Sequence, residues 1–156
     1  MRGLIVAGLA LFALSAPAHA QVLTCPDLSL IAVKQTSAVA GPPEPNTVYL
    51  RFEVRNVGAT TFVSPNESKQ WVEARLPTST SALAVHVVPT VVSGPVSMAT
   101  GARETAVLPV TLPAGAPRSG VLQVRIVYVT PAAGGPAAPQ DCSLRNNVRN
   151  APYRIR

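Results

Sequence analysis

Thr47-Val48-Tyr49-Leu50-Arg51-Phe52-Glu53-Val54-Arg55-Asn56-Val57-Gly58 is the stretch on which the fold turns. Val48, Leu50, Phe52 and Val54 alternate with Tyr49, Arg51, Glu53 and Arg55. A period of two puts the first set on a core and the second toward solvent, so the segment is predicted to be a half-buried β-strand. Asn56-Val57-Gly58 ends it, with Gly58 able to take a positive φ in the turn. Gln70–Leu76 follows the same rule, with Val72, Ala74 and Leu76 inward and Trp71, Glu73 and Arg75 outward. In Leu122–Thr130, Leu122, Val124, Ile126 and Tyr128 oppose a wet face marked by Gln123 and Arg125.

Four more runs have strand character: Leu28–Lys34, Leu83–Val88, Thr105–Leu112 and Val148–Ile155. Pro89 and Pro109 have no N–H for a ladder and belong at edges, ends or bulges. Between the runs lie turn-rich stretches: Gly41 to Pro45, Pro113 to Pro117, and Pro131 to Pro139, the last reading as an exposed loop of Pro, Ala and Gly. With 16 prolines and 10 glycines in 156 residues, an all-helical bundle is excluded. A hydrophobic share of 47% and a charged share of 13% exclude a disordered chain. About seven short strands at this spacing predict a single all-β domain, an antiparallel two-sheet sandwich, with a partly open barrel as the alternative.

The first twenty residues read as a targeting signal. Arg2 provides a positive start, Leu4 to Leu14 an apolar run, and Ala18-His19-Ala20 the small residues at −3 and −1 that a signal peptidase accepts. The run is shorter than the roughly 20 residues a spanning helix needs, and no second one follows, which predicts a secreted or periplasmic chain without a membrane span. Acylation of Cys25 is the rival reading, weakened by Thr24 before it. Cleavage after Ala20 leaves residues 21–156 as the single domain, with His86 as its only histidine. In an oxidising compartment Cys25 and Cys142 are expected to pair, tying the first strand to the start of the last; free thiols or an intermolecular bond are the alternatives.

The order of four segments resembles the bacterial cell-adhesion-related domain family (CARDB). Cys25-Pro26-Asp27-Leu28 is similar to the family's Pro-Asp-Leu opening, and Phe52 to Gly58 to its alternating strand ending in Asn-x-Gly. Gly101 through Pro113 is similar to its Gly-initiated strand, and Asp141 to Asn147 to its acidic-x₄-Asn-Asn stretch before the last strand. Ser64 to Pro95 departs from the family, being longer and less regular. The resemblance implies an immunoglobulin-like sandwich that serves adhesion, display or binding, with no enzymatic activity.

Few residues offer chemistry. His86 lies in an apolar strand, and a catalytic triad needs an orienting acid and an activated nucleophile, while no Gly-x-Ser-x-Gly elbow occurs. The seven Asp and Glu are scattered: no dense acidic loop for calcium, no Cys/His set for zinc, and no sign at Glu53 or Glu67 of a pocket for paired-carboxylate hydrolysis. Gly134-Gly135 lacks the lysine of a phosphate loop, and Asn66-Glu67-Ser68 is a formal glycosylation sequon that reads as a turn. No catalytic residue, metal ligand or cofactor is therefore expected. The chain carries 13 Lys and Arg against 7 Asp and Glu, a net charge of +6. Arg145, Arg149, Arg154 and Arg156 crowd its end, either as a contact surface for anionic partners or as the charged edge that blocks strand addition. Trp71, the only tryptophan, falls on the polar face or, if a bulge shifts the parity, in the core. The expected role is a non-enzymatic binding, adhesion or structural module that contacts a protein or polysaccharide of the cell envelope and no nucleic acid. A subunit of an extracellular assembly joined through edge strands, and a small hydrolase, are the alternatives.

Overall fold

The computed structural model describes residues 24–37, 42, 44–64, 70–88, 96–129 and 141–155. The signal segment, the Asn66 sequon, Pro89, the Gly134-Gly135 loop and Arg156 lie outside the described residues. Among the described residues there are nine strands: β1 (Leu28–Gln35), β2 (Thr47–Asn56), β3 (Phe62–Ser64), β4 (Gln70–Arg75), β5 (Ala84–Val87), β6 (Val96–Met98), β7 (Arg103–Thr111), β8 (Ser119–Tyr128) and β9 (Val148–Arg154). One sheet has the order β1-β2-β7 and another β5-β4-β8-β9, every pairing antiparallel. β3 and β6 form a separate two-stranded ribbon. Seven of the nine correspond to the expected runs within one or two residues at most ends. The ribbon strands are the addition: each is three residues long, too short to show a period.

Setting the ribbon aside, the first, second and fifth main strands share one sheet, and the fourth, third, sixth and seventh share the other. This is an immunoglobulin-like order. Alternation in β2 buries Val48, Leu50, Phe52 and Val54, each 0–1% exposed. They meet Val72 and Ala74 of β4, Leu122, Val124 and Ile126 of β8, and Ala151 and Tyr153 of β9 in one core, which Phe62 and Met98 of the ribbon cover. Type II turns start two of the strands. Thr47 N–H donates to Glu44 O at 3.2 Å across Pro45-Asn46, with Asn46 at φ 54°. Ala102 N–H donates to Ala99 O at 3.0 Å, with Gly101 at φ 78°.

Each open side of the sandwich has its own fastening. On one side the Gln35 amide accepts from Arg154 N–H and donates to Arg154 O, both at 2.8 Å, so a side chain of β1 occupies the free edge of β9. On the other, His86 Nε2 of β5 lies 3.5 Å from Glu104 Oε1 of β7, and its ring meets Phe52 edge-on at 5.4 Å. Pro109 sits on edge strand β7, opposite Tyr49, as its missing N–H requires.

Gly58 departs from its expected role. Its φ is not positive. Instead the Cys25-Pro26-Asp27 backbone crosses it so closely that a Cβ would stand 2.4 Å from Cys25 O and 2.5 Å from Asp27 N. The neighbouring Asn56, fully buried, fills all four hydrogen-bonding positions of its carboxamide. Its Nδ2 donates to Thr60 O and Met98 O, both at 2.8 Å. Its Oδ1 accepts from Asp27 N–H at 3.1 Å and Gly58 N–H at 3.0 Å.

Two substitutions test this packing. Gly58→Ala should destabilise by about 3 kcal/mol, because only main chain can move away from the new methyl. Gln70 is fully buried, and among the described residues neither of its amide atoms has a hydrogen-bond partner. Gln70→Leu should therefore raise stability by about 1–3 kcal/mol in denaturant unfolding, and a loss would show that the amide is satisfied in solution.

Candidate functional site

The outer face of β5-β4-β8-β9 is unlike that of its partner sheet. On β1-β2-β7, Lys34, Arg51, Arg55 and Arg103 point outward in the expected polar pattern. On the four-stranded sheet, register aligns Val87, Trp71 and Val127 in one row and Val85, Glu73, Arg125 and Val148 in the next. Val85 is 59% exposed, and Val121, Val148 and Val87 are 42%, 38% and 37% exposed. Among them Glu73 is paired with Arg125, and Arg75 is held by the neutral Gln123 amide. Arg125 Nε donates to Glu73 Oε1 at 2.7 Å, Trp71 Nε1 to Glu73 Oε2 at 3.2 Å, and Arg75 grips Gln123 Oε1 at 2.6 and 2.9 Å.

Trp71 is thus on the outer face, half-buried, with no bulge reversing its parity. Glu73 shares that face but is only 5% exposed, where an outward residue was expected to be wet. Trp71 and Arg125 lie over it from neighbouring positions, and a buried carboxylate needs such partners. The pair was hidden in the sequence because Glu73 and Arg125 are 52 residues apart and meet only through the β4–β8 register.

The C-terminal arginines are strung along an edge. Arg145 is exposed in a single 3-10 turn, Leu144–Asn147. Arg149 and Arg154 are exposed near opposite ends of β9, a separation of about 16 Å along a strand. Arg154 lies beside Ser119, and its main chain is the part that Gln35 holds.

Cys25 and Cys142 are disulfide-bonded, with Cα atoms 5.8 Å apart and a sequence separation of 117. Cys142 N–H also donates to Pro26 O at 3.0 Å. The bond joins the segment before β1 to the segment before β9, as expected from the strand order. It also gathers two acids that looked scattered, since Asp27 and Asp141 flank the cysteines; Cys-x-Asp and Asp-Cys around an expected disulfide were the available signal. Asp141 accepts from the Tyr128 hydroxyl, from Asn147 Nδ2 at 2.7 Å and from Ser143 N–H at 3.1 Å. Asp27, 5% exposed, accepts from Asn146 Nδ2 at 2.8 Å.

Burial raises the Asp27 carboxyl above its ordinary range; the Asn146 hydrogen bond opposes this, and the adjoining Asp141 carboxyl adds to it. The Tyr128 hydroxyl is likewise pushed up, first by burial and then by Asp141.

No protein-family profile and no curated protein matches this sequence. Among the described residues, no helix is long and apolar enough to cross a membrane.

The Asp27 shift sets a pH dependence. A raised pKa means that the fold retains a proton the unfolded chain has released. The corresponding stability is complete below the ordinary carboxylate pKa and disappears as pH rises through the raised one. In buffer free of multivalent cations, Asp27→Asn should therefore gain stability relative to the unsubstituted protein as pH rises from about 4 to 7. A difference between the two proteins that stays constant with pH would contradict the shift.

Proposed function

We propose that the chain is an exported, non-enzymatic binding module that meets its partner through the outer face of β5-β4-β8-β9. One observation carries the reading: a broad face on which Glu73 is taken up by Arg125 and Trp71, while Val85, Val87 and Val148 are exposed in the same two rows as the indole. Scattered exposed valines are ordinary, but a set aligned around a half-buried tryptophan has the composition of a contact surface. The resemblance to cell-adhesion-related domains supports a partner in the cell envelope, either a protein or a polysaccharide stacked on the indole. The disulfide is compatible with a secreted or periplasmic location.

Joining through edge strands is the weaker reading because the edges are blunted. β1 carries a register shift between Leu30 and Ala32, β7 carries Pro109, and β9 has Pro152 and the Gln35 amide.

The test uses photo-crosslinkers at residue 85, on the proposed face, and at residue 51, on the opposite sheet, in cells that export the protein. Residue 85 should yield a discrete adduct and residue 51 none. Trp71→Ala with Val85→Asp should weaken association with the captured partner at least tenfold, about 1.4 kcal/mol. Replacing Arg145, Arg149 and Arg154 with Gln should leave it within about twofold, under 0.5 kcal/mol. The reverse order of effects would move the contact to the β9 edge and overturn the reading.

A further inference from the structure

The outer face of β1-β2-β7 holds its positive charge in an arrangement that costs stability. Register sets Lys34 of β1 directly opposite Arg51 of β2, and Arg55 of β2 directly opposite Arg103 of β7. All four are exposed. Like charges facing each other across a ladder, with Cβ atoms about 5 Å apart, are destabilising. Among the described residues, none of the four is in an ion pair. The acids that could neutralise them are engaged elsewhere: Glu104 of β7 turns to His86, Glu73 is held by Arg125 on the other sheet, and Asp27 is buried. Of the acids on these three strands, Glu53 alone stays on this face, half-buried between the two cationic pairs.

We propose that this face binds an anionic polysaccharide, a linear chain whose carboxylates are spaced along it. Arg51 and Arg55 lie four residues apart on one strand, so the two pairs are separated by about 13 Å. This exceeds the Debye length of about 8 Å at physiological ionic strength, whereas the members of each pair fall within it. Each pair is therefore a separate site of doubled charge. A carboxylate docked there relieves the cross-strand repulsion and takes bidentate hydrogen bonds from a guanidinium. A chain that reaches both pairs makes its second contact at high effective concentration. Glu53 selects against a continuous anionic surface such as a lipid bilayer, which would set a headgroup against it, and leaves room for the uncharged stretch of a spaced chain. Tyr49, half-buried two residues before Arg51 on the same side, places an aromatic ring at the end of the row for a sugar to pack on. The inference does not rest on the contact around Trp71, which is on the opposite sheet. A crosslinker at residue 51 replaces one of these cations and so weakens this site.

Calorimetric titration and affinity electrophoresis of the exported chain with polygalacturonate test it, with dextran, poly-glutamate and vesicles of anionic phospholipid as comparisons. At an ionic strength of about 0.05 M the chain should bind polygalacturonate and not dextran, and binding should weaken at least about tenfold as salt rises to about 0.5 M. Joint replacement of Lys34, Arg51, Arg55 and Arg103 by Gln should weaken it at least about tenfold while raising Tm, because the like-charge pairs are gone. Joint replacement of Arg118, Arg145, Arg149 and Arg154 by Gln makes the same change in net charge elsewhere and should cost less than about threefold. Equal losses in the two variants would mean that net charge alone is read, and would overturn the proposal. So would an absence of binding to polygalacturonate, or tighter binding to the vesicles or to poly-glutamate, which would give the face to a membrane or to an acidic protein. Should the first variant fail to fold, Glu53→Gln provides a separate reading. Removing the carboxylate between the pairs should tighten polygalacturonate binding at least about twofold, and an unchanged or weaker affinity would contradict the assignment.

Discussion

A single buried carboxamide organises this molecule. Asn56 ends the central strand of the first sheet and binds four main-chain groups from three separate places: the segment before β1, the turn after β2, and β6. Its own main chain adds two bonds to the β7 approach, donating to Ala102 O at 3.0 Å and accepting from Gly101 N–H at 2.8 Å. In a low-dielectric interior these groups would each be costly if left alone, so one side chain fixes the path of three segments. Gly58 completes the arrangement by letting the Cys25-Pro26-Asp27 backbone pass in van der Waals contact.

The acidic cluster follows from that crossing. Once Asp27 N–H is bound to Asn56, the Asp27 side chain is held at the end of the sandwich where β8 delivers Tyr128 and where Asp141-Cys142 returns toward β9. The disulfide closes the same junction covalently. In chain-entropy terms a loop of this length is worth roughly 4–5 kcal/mol, a large share of a small domain's stability. Asp27 and Asp141, each held by hydrogen-bond donors, thus occupy one of the most constrained parts of the chain. The outer face around Trp71 is built differently, from strand register alone.

The main strands were legible because Val48, Leu50, Phe52 and Val54 state their period without interruption, and β8 does the same. The disulfide followed from the strand order and an oxidising compartment. What the sequence concealed was pairwise and distant. β3 and β6 are too short to display alternation. Glu73 reads as a wet residue until Arg125 is placed beside it by register. Asp27 and Asp141 are far apart in the chain and read as scattered acids. Gly58 reads as a turn glycine by local rules, whereas its real constraint is a passing backbone that no local rule contains.

Hydrogen exchange at single-residue resolution reports most directly on the Asn56 junction. The Asp27 and Gly58 amides belong to no strand, yet both are bound to Asn56 Oδ1 in the interior. They should exchange as slowly as the amides of Phe52 and Val124, through opening of the whole domain. Exchange of either at the rate of an exposed turn would mean that the junction opens locally, and that Asn56 does not hold the sandwich together.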